Sequence, residues 1–132
     1  MKYTADSWFF IQLSRGAQKA VEIWKDIKLG KARLVVPTIV IVEVKKRLLG
    51  YGFSKYAEEF IDELEASQKI SIIDLTLNMA KEAGKLGYSY DCTTADAVIL
   101  ATAIETGYIN LLTDDKHHFT QAEKHGKIRI VS

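Results

Sequence analysis

Short continuous apolar runs alternate along this chain with longer stretches in which apolar residues recur every three or four positions. The first kind predicts strands buried on both faces, the second amphipathic helices. Lys2–Asp6 reads as a short strand ending in Asp6-Ser7, and Trp8–Leu13 begins a helix with Asp6 or Ser7 as its N-cap. Gly16 breaks that helix, and Ala17–Leu29 forms the next, ending at Gly30. Arg33–Val36 is a compact strand closed by Pro37. Thr38 caps a helix that runs to about Leu49, before Gly50-Tyr51-Gly52, and Ser54 caps another over Lys55–Ala66. Lys69–Leu75 reads as a strand through Ile70, Ile72 and Ile73. Thr76 caps a helix to about Leu86 that Gly87 ends, leaving Tyr88–Cys92 as a loop. Thr93-Thr94-Ala95-Asp96 has the form of a capping box, opening a helix to about Thr106 that ends at Gly107. Tyr108–Leu112 is a strand, a short helix lies around His118–His125, and Lys127–Val131 closes the chain as a strand.

Strands alternating with helices predict an α/β/α sandwich around a central parallel sheet of about five strands. With right-handed crossovers the expected order is 3-2-1-4-5. Strands one and four are then neighbours at the topological switch point, where ligands of such sheets bind beyond the strand C-termini. Asp6 ends strand one and Asp114-Asp115 follow strand four, so this topology brings the first and last acids together.

Composition narrows the picture little. The 132 residues fit one domain, 1–132, with a core of its own. The net charge of +1 gives no global attraction to nucleic acid, so any basic footprint is local. The single cysteine, Cys92, rules out an intrachain disulfide and fits a reducing compartment. No apolar stretch approaches the roughly 20 residues needed to span a bilayer, and the N-terminus lacks a signal pattern, so the expected location is cytoplasmic, with no membrane partner.

Isolated carboxylates set against apolar elements carry the chemistry: Asp6, Glu43, Asp96 and the Asp114-Asp115 pair. A carboxylate in apolar surroundings is costly unless something pairs with it. Taken singly, each has a plainer explanation. Asp96 also reads as a capping-box acid favoured by the helix dipole, and Glu43 as a partly exposed residue paired with Arg47 at i, i+4. Asp6 also reads as an N-cap, and Asp114 and Asp115 as turn acids. Taken together, three or four converging carboxylates with no histidine among them suit Mg²⁺ or Mn²⁺, which act on phosphodiesters.

Other chemistry is absent from the pattern: there is no Gly-rich phosphate loop, no nucleophile elbow and no zinc-ligand spacing. Asp6-Ser7-Trp8 lacks the Asp-x-Asp of haloacid-type phosphatases, and a receiver-like phosphoacceptor would need paired acids after strand one. His117, His118 and His125 lie in a polar stretch and read as solvated surface, with His117 near the acidic loop. Cys92 reads as structural or incidental. Lys45, Lys46 and Arg47 follow Glu43, and Lys116 follows Asp115; of these, Lys46, Arg47 and Lys116 are candidates for substrate phosphates. Trp8, Phe9 and Phe10 read as core, whereas Tyr51, Phe53, Tyr56 and Phe60 are hard to bury together and suggest a partner or self-association surface.

These segments resemble a PIN domain. Tyr3-Thr4-Ala5-Asp6-Ser7 is similar to that family's first strand, ending in Asp-Thr or Asp-Ser, and Pro37–Glu43 to its second motif. Thr94–Ala103 resembles its Asp-led, Ala-rich helix, and Leu111–Phe119 its closing Thr-x-Asp motif. Val42 departs from the small polar residue usual before the Glu. The resemblance spans essentially the whole chain and implies a metal-dependent endoribonuclease, similar to VapC-type toxins. It implies structured RNA such as tRNA or rRNA as substrate, a VapB-type antitoxin as partner, and a homodimer. Carried over by position, Asp6, Glu43, Asp96 and Asp115 would be catalytic and bind Mg²⁺ or Mn²⁺, with Asp114 as the alternative last ligand. Thr113 would support the last acid and Ser7 the first. The alternative is a PIN-fold RNA- or protein-binding module without catalysis.

Overall fold

Strand β1 (Lys2–Ala5) occupies the centre of a five-stranded sheet because it pairs on both sides, with β2 (Arg33–Pro37) and with β4 (Asn110–Leu112). The structure, a computed structural model, describes residues Met1–Ser132. β3 (Ile70–Ile73) extends the sheet beyond β2, and β5 (Arg129–Val131) extends it beyond β4, giving the order β3-β2-β1-β4-β5 with every pair parallel. This is the predicted architecture and strand order.

Seven helices connect and cover the strands: α1 (Ser7–Ser14), α2 (Gln18–Lys28), α3 (Thr38–Gly50), α4 (Ser54–Ala66), α5 (Leu77–Tyr90), α6 (Thr94–Thr106) and α7 (Lys116–Lys124). Leu34, Val35 and Val36 of β2, and Leu111 and Leu112 of β4, are fully enclosed, as strands covered on both faces must be. Each such side chain contributes roughly 1.5–3 kcal/mol by leaving water. α6 has no polar face through its middle: Ala97 to Ala103 are all buried, because the helix lies between the sheet and α5.

The backbone ladder continues one residue past the strand ends. The Asp6 N–H donates to the Leu112 carbonyl at 3.1 Å and the Thr113 N–H to the Val131 carbonyl at 3.1 Å. Asp6 and Thr113 are therefore held side by side at the C-terminal edge of the sheet, at the switch point between β1 and β4.

Several predicted boundaries change. α5 does not end at Gly87 but runs to Tyr90, so residues 88–90 are helical rather than loop, and Asp91 stops the helix in the left-handed region (φ 49°). Gly87 serves packing instead: a Cβ there would lie 3.3 Å from the Ala97 Cβ of α6. Thr38 and Ser54 are the first helical residues of α3 and α4 rather than their caps, and neither helix has a side-chain cap. Thr76 and Thr93 do cap, accepting from the N–H groups of Met79 and Asp96.

Candidate active site

Four elements each deliver one acid to this edge: Asp6 directly follows β1, α3 carries Glu43, the first turn of α6 carries Asp96, and Asp115 caps α7. Asp6 holds the N-cap position of α1 yet does not cap it. Its carboxylate turns into the site instead, where Ser7 Oγ donates to Oδ1 at 3.2 Å and Thr113 Oγ1 to Oδ2 at 2.6 Å. Asp6 is buried, as is Thr113. Ser7 thus contacts the first acid. The Thr113 hydroxyl accepts from the Asp115 N–H at 3.0 Å while donating to Asp6, and so links the first acid to the last.

Glu43 does not take the plainer role of a partner to Arg47. It makes no ion pair with Arg47. Its Oε1 is shielded from solvent and has no hydrogen-bond partner. Burial pushes its carboxyl above the usual range, the negative charges of Asp6 and Asp96 push it further, and Arg47 opposes them. Asp96 is likewise raised, by burial first and then by Asp115 and Asp6, against the Thr93 hydrogen bond and the charge of His118. In both, burial is the larger cause and the charges of neighbouring acids add to it.

His118 was predicted as solvated surface, and the structure overturns that. Its Nδ1 lies 2.8 Å from Asp96 Oδ2 and 2.8 Å from Asp115 Oδ2, with the ring about a quarter exposed (26%). Its backbone N–H donates to Asp115 Oδ1 at 3.2 Å. The hydrogen bond to Asp115 raises the imidazole above its ordinary value, and desolvation opposes it. Burial alone would raise Asp115, but its contacts with His118 outweigh that and hold its carboxyl below the usual range. The signal was present in the sequence: an Asp followed three residues later by His at a helix start brings both groups to one face.

Asp115 is half-buried and joins Asp96 and His118 in a set whose donor atoms lie within 4.8 Å of one another; Asp6 and Glu43 are not in that set, and neither is Asp114, which is exposed. His117 remains exposed, as expected, and His125 contacts the Tyr90 hydroxyl at 3.1 Å. The Cys92 thiol is pushed up by burial and by Asp96, which makes it a poor nucleophile.

Beside Glu43 a cleft of ≈ 670 Å³ opens between α1 and α3, lined by Ser7, Trp8, Lys46, Arg47, Gly50 and Tyr51. Lys46 and Arg47 are exposed and unpaired there, and Lys116 is exposed at the start of α7. Of the aromatic group assigned to a surface, Phe60 is core, edge-on to Phe10 at 5.0 Å, while Tyr51, Phe53 and Tyr56 stay exposed.

A family model described as PIN domain matches residues 5–124. No curated protein sequence matches the chain. Among solved structures it is similar to a toxin–antitoxin complex from Klebsiella pneumoniae (TM-score 0.72, 20% identity, covering 98% of this chain and 96% of that one). It is also similar to VapBC2 from Rickettsia felis bound to a DNA fragment from their promoter (TM-score 0.73, 14% identity, covering 99% and 98%). A third likeness is to FitAcB from Neisseria gonorrhoeae (TM-score 0.68, 17% identity, covering 98% and 96%).

Proposed function

The chain belongs to the PIN domain family, and on that premise we propose that it is a metal-dependent endoribonuclease. The observation that carries this reading is the close set of Asp96, Asp115 and His118 at the sheet edge that also holds the buried Asp6, with a shielded Glu43 oxygen left without a partner. A shielded polar atom with no partner is costly, and so are like charges raising one another, unless a cation joins them. The donors are mostly carboxylate oxygens, which fits Mg²⁺ or Mn²⁺. Asp6, Glu43, Asp96 and Asp115 would hold the ion, and Asp114 is set aside as a ligand. A divalent ion bound there supplies the positive charge that activates a water and stabilises the leaving oxygen of a phosphodiester.

The rest is the work of the chain's own side chains. Ser7 and Thr113 fix the Asp6 carboxylate, so its orientation does not have to be set when substrate arrives. Thr113 also fixes the backbone at Asp115. Lys46 and Arg47 line the cleft beside Glu43 and take phosphates on one side of the cut. Lys116, exposed at the start of α7 next to Asp115, is a further phosphate contact.

Residues 1–132 act as one nuclease domain in this reading. The near-complete mutual coverage with chains of toxin–antitoxin complexes supports a toxin of a type II pair, restrained by a VapB-type antitoxin. Its substrate is structured RNA such as tRNA or rRNA, and it works as a cytoplasmic homodimer. No helix is long and apolar enough to cross a membrane.

The test is incubation of purified protein with total RNA and with matched single-stranded DNA, in Mn²⁺ or EDTA, with product ends mapped. Discrete RNA ends that vanish in EDTA are expected. Cleavage of DNA alone would reassign the substrate. No cleavage by folded protein that also fails to bind Mn²⁺ would favour a PIN-fold binding module.

A further inference from the structure

His118 is the one nitrogen donor among the acids, and its position is set by two independent contacts rather than by chance exposure. Nδ1 sits 2.8 Å from one oxygen of Asp96 and 2.8 Å from one oxygen of Asp115. Adjacent donors of an octahedral ion with bonds of about 2.1 Å lie roughly 3 Å apart. The nitrogen therefore already has the spacing of a neighbouring ligand from each oxygen, and all three donors lie within 4.8 Å of one another. The residue is fixed by its own backbone N–H on Asp115 Oδ1, so the ring does not have to be recruited from solvent. A further oxygen without a partner belongs to Glu43, whose Oε1 is shielded from solvent.

From this geometry we infer that His118 is a metal ligand, and that its imidazole biases the site toward Mn²⁺ over Mg²⁺. The inference rests on the metal-dependent reading above and adds one residue and one selectivity to it. The chemistry is that of donor softness. Mg²⁺ favours a shell of oxygens and gives up water reluctantly, whereas imidazole suits ions later in the transition series. Asparagine at this position is a close steric match for the Nδ1 edge of the ring. It replaces nitrogen by an amide oxygen, so His118→Asn returns the site to oxygen donors without emptying it.

The probe is Mn²⁺ itself, followed by electron paramagnetic resonance on the intact protein, with Mg²⁺ competition to measure selectivity. Wild type should show coupling of the bound Mn²⁺ to one ¹⁴N nucleus. His118→Asn should lose that coupling and about ten-fold or more in Mn²⁺ affinity, with Mg²⁺ affinity little changed. His117→Asn, a change at an exposed neighbour, should keep the coupling. Mn²⁺ that binds in an Asp96-dependent way but shows no ¹⁴N coupling overturns the role of His118 and leaves the acidic site intact. Mn²⁺ binding that is absent, or indifferent to Asp96→Asn, overturns the acidic metal site and this inference with it.

Discussion

Thr113 Oγ1 donates to Asp6 Oδ2 at 2.6 Å, joining two residues 107 positions apart in the chain. The same hydroxyl accepts the Asp115 N–H, so a single buried side chain sets the relative position of the first and last acids. Thr113→Val keeps the shape and removes the hydroxyl. It should cost about 1–3 kcal/mol in stability, because a buried carboxylate oxygen loses its donor. Cleavage should fall more than ten-fold, and Thr113→Ser should recover most of both. Urea denaturation and initial rates on one RNA substrate measure the two effects.

Without metal, the acidic edge should be a source of instability that grows with pH. His118 holds its proton more tightly folded than unfolded, so its contribution is complete below its unfolded value of about 6.5 and is lost as pH rises through the higher folded value. Glu43 and Asp96 are also raised, so their ionisation above about 4 costs folded-state stability as pH increases. Asp115 is lowered and acts oppositely: its contribution is present above about 4 and lost as pH falls. From about pH 5 to about pH 8, melting temperature in EDTA should therefore fall more steeply for wild type than for a Glu43→Gln, His118→Asn double variant. Parallel profiles would remove this site as the cause.

Metal should reverse that penalty. Binding to the folded state alone stabilises by about 2.7 kcal/mol at roughly a hundred times Kd. Thermal melts with Mn²⁺ should show a rise in wild type that Asp96→Asn largely abolishes.

Packing of α5 on α6 should respond oppositely to two glycine substitutions. Gly87→Val crowds the Ala97 side chain of the helix that carries Asp96, and should destabilise by about 1–3 kcal/mol. A Cβ at Gly84 meets nothing within 4 Å, so Gly84→Ala should stabilise by about 0.5–1 kcal/mol through helix propensity. Paired denaturation curves decide both.

Strand order and the four acids were legible because both leave local marks. A doubly covered parallel strand is a short apolar run, and an acid that ends such a run, or opens an apolar helix like Asp96, stands out against it. What escaped depends on contacts between distant segments. Gly87 carries the mark of a helix stop, but the approach of Ala97 gives it another purpose. Glu43 has an Arg at the right spacing, yet it forms no ion pair with it and one of its oxygens is shielded without a partner. His118 lies in a polar stretch where periodicity carries no information, and only its spacing from Asp115 pointed to a contact between them. The Thr113–Asp6 bond joins opposite ends of the chain, which no local spacing encodes.

The most direct test of the central claim is cleavage of one RNA substrate by wild type, Asp6→Asn and Asp96→Asn, in Mn²⁺ and in EDTA, with folding checked by circular dichroism. Discrete products are expected from wild type in Mn²⁺ alone, and none from either variant although both remain folded. Cleavage by Asp96→Asn at the wild-type rate, or by wild type in EDTA, would contradict the claim.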